Sequence, residues 1–197
     1  MVNTGAQHSK KTRSSGFGQE GTVALEFALV APVLFLLLIG FLEMGLIFFT
    51  QTVLENATTH AGRLGKTGYS VGGNRETWIR NELWRSTGGY LDPSQINVTI
   101  LTYTRGWNAI GQLEPCWTAA CTNGASNLIA NIDYEDINNN NVRDDQGIQG
   151  AGTGTQIVHY EVTYSWPIIT PMLCSIIGNP ACNFDIKSTT TVRNEGF

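Results

Sequence analysis

A chain of 197 residues has room for one folded domain, or a small one with an appendage, which excludes a coiled-coil rod, a collagen-like chain and a large two-domain enzyme. Charged residues make up 14% and hydrophobic ones 42%, against a usual charged share of about 25%, so the chain is too apolar and too weakly charged for intrinsic disorder. The 12 lysines and arginines against 16 aspartates and glutamates give a net charge of -4 with no extended basic run, so the electrostatic footprint that holds a phosphate backbone is missing and nucleic acid is not an expected partner.

The first residues are polar and basic, with Lys10, Lys11 and Arg13, and then the chain turns apolar. Residues 27–42 carry no charge, and after Glu43 the apolar run resumes through Phe49. At about 1.5 Å per residue, the stretch 27–49 covers roughly 34 Å, enough for a hydrocarbon core about 30 Å thick. It reads as one transmembrane helix. Pro32 and Gly40 would be awkward inside a helix in water but are common in membrane helices. The first positive charge after the span is Arg63. The positive-inside rule therefore puts the N-terminus in the cytoplasm and the chain from about Gln51 outside, where cysteines can oxidise. A secretory signal is the alternative, but its apolar core is typically about 7 to 15 residues long and ends at a small-x-small site. This run is longer and leads into Phe48, Phe49 and Thr50.

Past the span, Val53, Leu54, Ala57, Ala61 and Leu64 keep helical spacing. One long helix over 22–66 is expected, broken by Thr67-Gly68 and Gly72-Gly73. Asn74 can cap a second helix through about Ser86, with Trp78, Ile79, Leu83 and Trp84 as its core candidates, and Gly88-Gly89 ends it. Three later stretches alternate as strands do: 96–104, 157–166 and 184–193. In the first, Ile96, Val98, Ile100 and Thr102 share one face. The expected fold class is α+β: a long N-terminal transmembrane helix continuing into a small exported, pilin-like domain with a second helix and a roughly three-stranded antiparallel sheet. The segments are a leader over 1–21, the helix over 22–66 and a head over 67–197 that carries an Asp/Asn-rich insert at about 106–155.

Such a core is thin, so covalent staples would help. Cys116 with Cys121 and Cys174 with Cys182 each bracket a short loop, and these local pairings are favoured among the three that four cysteines allow. Neither spacing is Cys-x-x-Cys and no histidine is near, so zinc is a poor reading. The insert offers a different candidate. Counting from Asp136, side-chain oxygens fall at positions 1, 3, 5 and 9 on Asp136, Asn138, Asn140 and Asp144, and Val142 can offer its carbonyl at position 7. That is the ligand spacing of an EF-hand-type calcium loop. Asn141 stands where glycine is preferred, which asparagine tolerates because it visits the left-handed region, and Gly147 replaces the bidentate glutamate. The plain alternative is a solvated turn-rich loop, since Asn and Asp favour turns on their own account. Any calcium bound here would be structural.

Catalytic motifs are scarce. Gly65-Lys66-Thr67 resembles the end of a phosphate-binding loop, but His60 occupies the position of its first glycine and a helix, not a strand, precedes it. There is no Gly-x-Ser-x-Gly and no His-Glu-x-x-His, and His60 and His159 are isolated in sequence.

The stretch Gly21-Thr22-Val23-Ala24-Leu25-Glu26-Phe27 places a glycine after a basic leader and a glutamate five residues later, at the start of the apolar helix. It resembles the processing site of type IV pilins and pseudopilins. The resemblance implies that a prepilin peptidase cuts between Gly21 and Thr22, that the glycine admits the peptidase to the backbone, and that Glu26 pairs with the new α-amine of a neighbouring subunit. The wider pattern of Glu26, Phe27, Ala28, Pro32, the aliphatic run, Glu43 and Arg63 is similar to the TadE-like family of tight-adherence pilus assembly proteins, although Gly62 stands where that family has alanine. Thr163-Tyr164-Ser165-Trp166-Pro167 resembles longer members less specifically. The resemblance implies a pseudopilin or minor pilin of a Flp-type pilus in the bacterial inner membrane, with a periplasmic head. Its implied partners are lipid, other pilin-like subunits and the assembly machinery, and it implies neither catalysis nor a required cofactor. The rival expectation is a calcium-stabilised binding or adhesion domain on an uncleaved anchor.

Overall fold

The apolar run and the stripe after it form one continuous helix, α1 (Phe17–Lys66), with Pro32 inside it. The computed structural model describes residues 17–69, 73–123, 127–171, 174 and 180–196. Lys10, Lys11, Arg13 and Gly72 lie outside them. The helix is already formed at Phe17, ahead of the expected residue 22, through Gln19 and Glu20, which are good helix formers. It stops as expected: Thr67 Oγ1 donates to the Leu64 carbonyl at 2.9 Å and Gly68 takes a φ of 69°.

Two units divide the chain at Met1–Leu42 and Glu43–Phe197. The second half of α1 therefore belongs to the same unit as the sheet and α2. In the head, α2 (Arg75–Ser86) starts at Asn74, whose side chain accepts the Thr77 amide at 3.2 Å, an N-cap of the kind asparagine favours. Ile79 and Leu83 are buried and Trp78 packs on the core, but Trp84 turns outward and is 45% exposed. Its neighbours Ile79 and Leu83 already occupy the stripe that meets the sheet.

The sheet has four antiparallel strands, one more than expected: β1 (Ile96–Tyr103), β2 (Ile148–Gln149), β3 (Ile157–Pro167) and β4 (Asn183–Arg193), in the order β2-β1-β3-β4. β2 is two residues long, too short to carry a period, and it pairs Thr102 with Ile148. Val98 faces Val162 and Ile100 faces Tyr160, which fixes the register of the centre. Alternation then sorts the faces. Val98, Ile100, Val158, Tyr160, Val162, Tyr164 and Ile186 join Leu54, Ala57 and Ala61 of α1 and Ile79 and Leu83 of α2 in one core. The other face is polar at its centre, where Lys187 Nζ lies 2.8 Å from Glu161 Oε2. A small second cluster of Tyr103, Ala109 and Ile157 covers one end of it.

Small residues let α1 lie close to the sheet. A methyl group at Gly65 would stand 2.2 Å from the Tyr160 hydroxyl, and one at Gly62 would stand 2.7 Å from Thr190 Cγ2. At Gly62, where the family pattern has alanine, the crowded atom is the end of the Thr190 side chain, which can turn aside. Arg75 closes the same region. Its guanidinium donates to the Gly65 carbonyl at the end of α1, to the Gly152 carbonyl at 2.9 Å and to Asn194 Oδ1 at 3.1 Å. Asn194 is itself buried and donates to the Ala151 and Thr153 carbonyls, while the Glu195 amide reaches the Lys66 carbonyl at 2.9 Å.

Both disulfides are the local ones. Cys116–Cys121 has a Cα separation of 5.7 Å and Cys174–Cys182 one of 5.1 Å, inside the range that a bridge allows. The first staples the insert, where a single-turn helix α3 (Ala119–Thr122) carries Cys121.

Candidate functional site

In the first unit α1 is, from Phe27 to Leu42, apolar around its whole circumference. Val23, Leu25, Phe27, Leu29, Phe35 and Phe41 are among its exposed large side chains. The helix is long and apolar enough to cross a membrane, with a mean hydropathy of 2.6 over its most apolar window. Gly21 and Thr22 lie within the helix and are exposed, as are Glu26, Phe27 and Pro32. A peptide bond in a helix is not presented as a protease substrate, so cleavage after Gly21 requires the first turns to open. Glycine eases this, being about 1 kcal/mol less favourable in a helix than alanine.

The expected span of 27–49 overlaps the head at its far end. From Glu43 onward one face of α1 is buried: Glu43 is 3% exposed, Ile47 5% and Thr50 0%. Glu43 does not reach for solvent. Its two carboxylate oxygens accept the backbone amides of Ile169 at 2.7 Å and Thr170 at 3.0 Å, so this residue of the TadE-like pattern, expected with Glu26, Phe27 and Pro32 to serve helix registry and assembly, ties the β3–β4 connection to the helix. Nothing local in the sequence signals this contact, because the partners are far apart in the chain. On the opposite side Phe48 stays exposed and Phe49 meets Tyr90 edge-on at 5.2 Å.

The acidic loop is ordered by its own side chains. Asp136 accepts the amides of Asn140 and Asn141 at 3.1 and 3.0 Å, and the Val142 amide donates to Asn140 Oδ1 at 2.7 Å. Asn141 takes a φ of 60°, the left-handed turn that the EF-type spacing asks of that position. The side-chain amides of Asn138 and Asn140 both aim at the Asp144 carboxylate, at 2.9 and 2.7 Å. Sequence reasoning missed Glu114. It is fully buried beneath the loop, with Oε1 accepting the Ile137 amide at 2.6 Å and the Asn138 amide at 3.3 Å. Its only signal in sequence is an acid between Leu113 and Pro115. Burial first, and then the charges of Asp136, Glu114 and Asp144, push the Tyr134 phenol above its ordinary value. Among the described residues, no three His, Cys, Asp or Glu side chains form a ready-made metal cluster. Asp133 does other work: its carboxylate accepts the Ile129 amide and the Thr118 hydroxyl beside the first disulfide.

The histidines have local partners. Ser86 Oγ lies 3.1 Å from His60 Nδ1, but that hydroxyl donates to the Glu82 carbonyl at 2.7 Å, so the imidazole must be the donor and the pair is not an activated nucleophile. His159 Nδ1 meets Thr191 Oγ1 at 2.7 Å across β3 and β4.

Residues 21–63 match the family model described as TadE-like protein. No curated protein and no solved structure matches the chain. The matched segment starts at Gly21, contains Glu26, Pro32 and Glu43, and ends at Arg63, so the family signature is that of α1. The resemblance read from the sequence holds over that segment.

Proposed function

We propose that this chain is a membrane-anchored pseudopilin or minor pilin that takes part in assembling a tight-adherence pilus, without catalysis. The observation that carries the reading is the TadE-like match over residues 21–63, which begins at Gly21 and runs along the apolar helix. In this reading a prepilin peptidase cuts between Gly21 and Thr22 on the cytoplasmic side of the bacterial inner membrane, and the head lies on the periplasmic side. The bilayer then takes the all-round apolar stretch 22–42, which at about 1.5 Å per residue covers about 31 Å. Glu26 falls just inside the hydrocarbon, where a carboxylate needs a partner, and the free α-amine of a neighbouring Thr22 supplies one. Lipid and the helices of other pilin-like subunits cover the remaining apolar surface.

The test is the N-terminal sequence and intact mass of the protein from its native membrane. A chain that starts at Thr22 supports the reading. An uncut leader overturns it and favours a binding domain on a permanent anchor.

A further inference from the structure

In an EF-hand-type loop counted from Asp136, the bidentate glutamate would stand at position 147, and this fold leaves no room for it. A Cβ on Gly147 would lie 2.8 Å from Asp145 Oδ1 and 2.9 Å from Leu101 Cβ. The Asp145 carboxylate is tied instead to the sheet and the next turn, its Oδ1 accepting the Tyr103 hydroxyl at 2.6 Å and the Gly147 amide at 2.7 Å. Glu114 is placed differently. One of its oxygens holds the two amides that follow Asp136, and the other, Oε2, is buried without a hydrogen-bond partner. The Tyr134 hydroxyl is buried and unpaired as well. Native proteins rarely leave a buried carboxylate oxygen unmet, since desolvated charge demands a counter-charge.

We propose that Glu114 supplies the carboxylate that the loop lacks, and that Glu114, Asp136, Asn138, Asn140, the Val142 carbonyl and Asp144 bind a calcium ion. The Asn138 and Asn140 amides converge on Asp144 through Nδ2, while their Oδ1 atoms accept the Asn140 and Val142 amides. Bringing Oδ1 of each toward the Asp144 carboxylate takes a turn of both side chains that gives up these bonds, and that of Asn138 Nδ2 to the Asp145 carbonyl, in exchange for cation contacts. Six oxygens of mixed carboxylate, amide and carbonyl type, carried on a loop, suit the large and adaptable shell of calcium better than the rigid octahedron of magnesium. The proposal is independent of the pilus reading.

The experiment uses the full chain in detergent micelles. Thermal unfolding is followed with chelator, with calcium chloride and with magnesium chloride, and terbium luminescence excited through tyrosine reports direct binding. Calcium is expected to raise Tm and displace terbium. Glu114→Gln should weaken calcium binding by about tenfold or more, whereas Glu135→Gln, which touches only the neighbouring ion pair with Arg105, should not. If Glu114→Gln fails to fold, Asp144→Asn on the half-buried rim serves in its place, with the same loss expected. A wild-type chain that gives no calcium-dependent shift and no terbium signal overturns the proposal. So does full binding by Glu114→Gln, or an equal response to magnesium.

Discussion

The two halves of α1 are continuous in backbone but differ in what their surfaces ask for. From Val23 to Leu42 the helix is largely exposed and, Glu26 apart, apolar, a surface that water cannot accept. From Glu43 to Lys66 it is amphipathic, and beyond Ile47 and Leu54 the last turns of the buried stripe are built of small residues, Ala57, Ala61, Gly62 and Gly65, so that the sheet can approach. The difference teaches that hydropathy marks the first half, whereas the second is specified by side-chain size. Only the fold makes the size requirement visible.

Glycine substitution breaks this comparison most sharply. Gly65→Ala places a methyl against the Tyr160 hydroxyl, and overpacking of this kind should destabilise the head by about 3 kcal/mol in denaturant titration. Tyr160→Phe should recover part of the loss by removing the oxygen, which has no hydrogen-bond partner. Gly40→Ala, where nothing lies within 4 Å, should leave the stability of the solubilised chain level or slightly raised. Equal losses at both positions would dissolve the distinction.

The two glutamates sharpen it at a smaller scale. Glu43→Ala leaves the Ile169 and Thr170 amides without their acceptor and should cost about 1 to 3 kcal/mol. Glu26→Ala, on the exposed half, should leave Tm and insertion unchanged while fibre assembly is lost. Normal fibres from that variant would remove its charge-pairing role.

The smallest effect is a pH slope in the head. Burial pushes His159 below its ordinary pKa, with Lys187 acting in the same direction and the charges of Glu161 and Asp145 opposing. A depressed histidine is neutral when folded and protonated when unfolded near about pH 6.5. Stability is therefore full above that value and falls as pH drops toward the folded pKa. His159→Gln should flatten the Tm profile between pH 7 and 5, and an unchanged slope would assign the loss to other groups.

Much of this fold was legible in the sequence. The helical stripe through Ala61, the Asn74 cap, the three long strands and the two short disulfide loops each leave a local period or spacing. β2 does not, since two residues have no period and are recruited by the edge of β1. The contacts of Glu43 and Glu114 were not legible for a related reason: what a carboxylate does depends on which amides it meets, and here the amides come from distant segments. The loop spacing at Asp136, Asn138, Asn140 and Asp144 was visible, but the buried acid beneath it was not.

The junction around Arg75 bears on how this head is made. The guanidinium at the end of α1 also bonds Asn194, and β4, the strand that completes the sheet beside β3, comes from residues 183–193. A chain produced from its N-terminus therefore holds its anchor helix long before it can hold its head. β4 and Asn194 come after every other element of the head in the chain, so the head cannot reach its final fold until synthesis has passed Asn194.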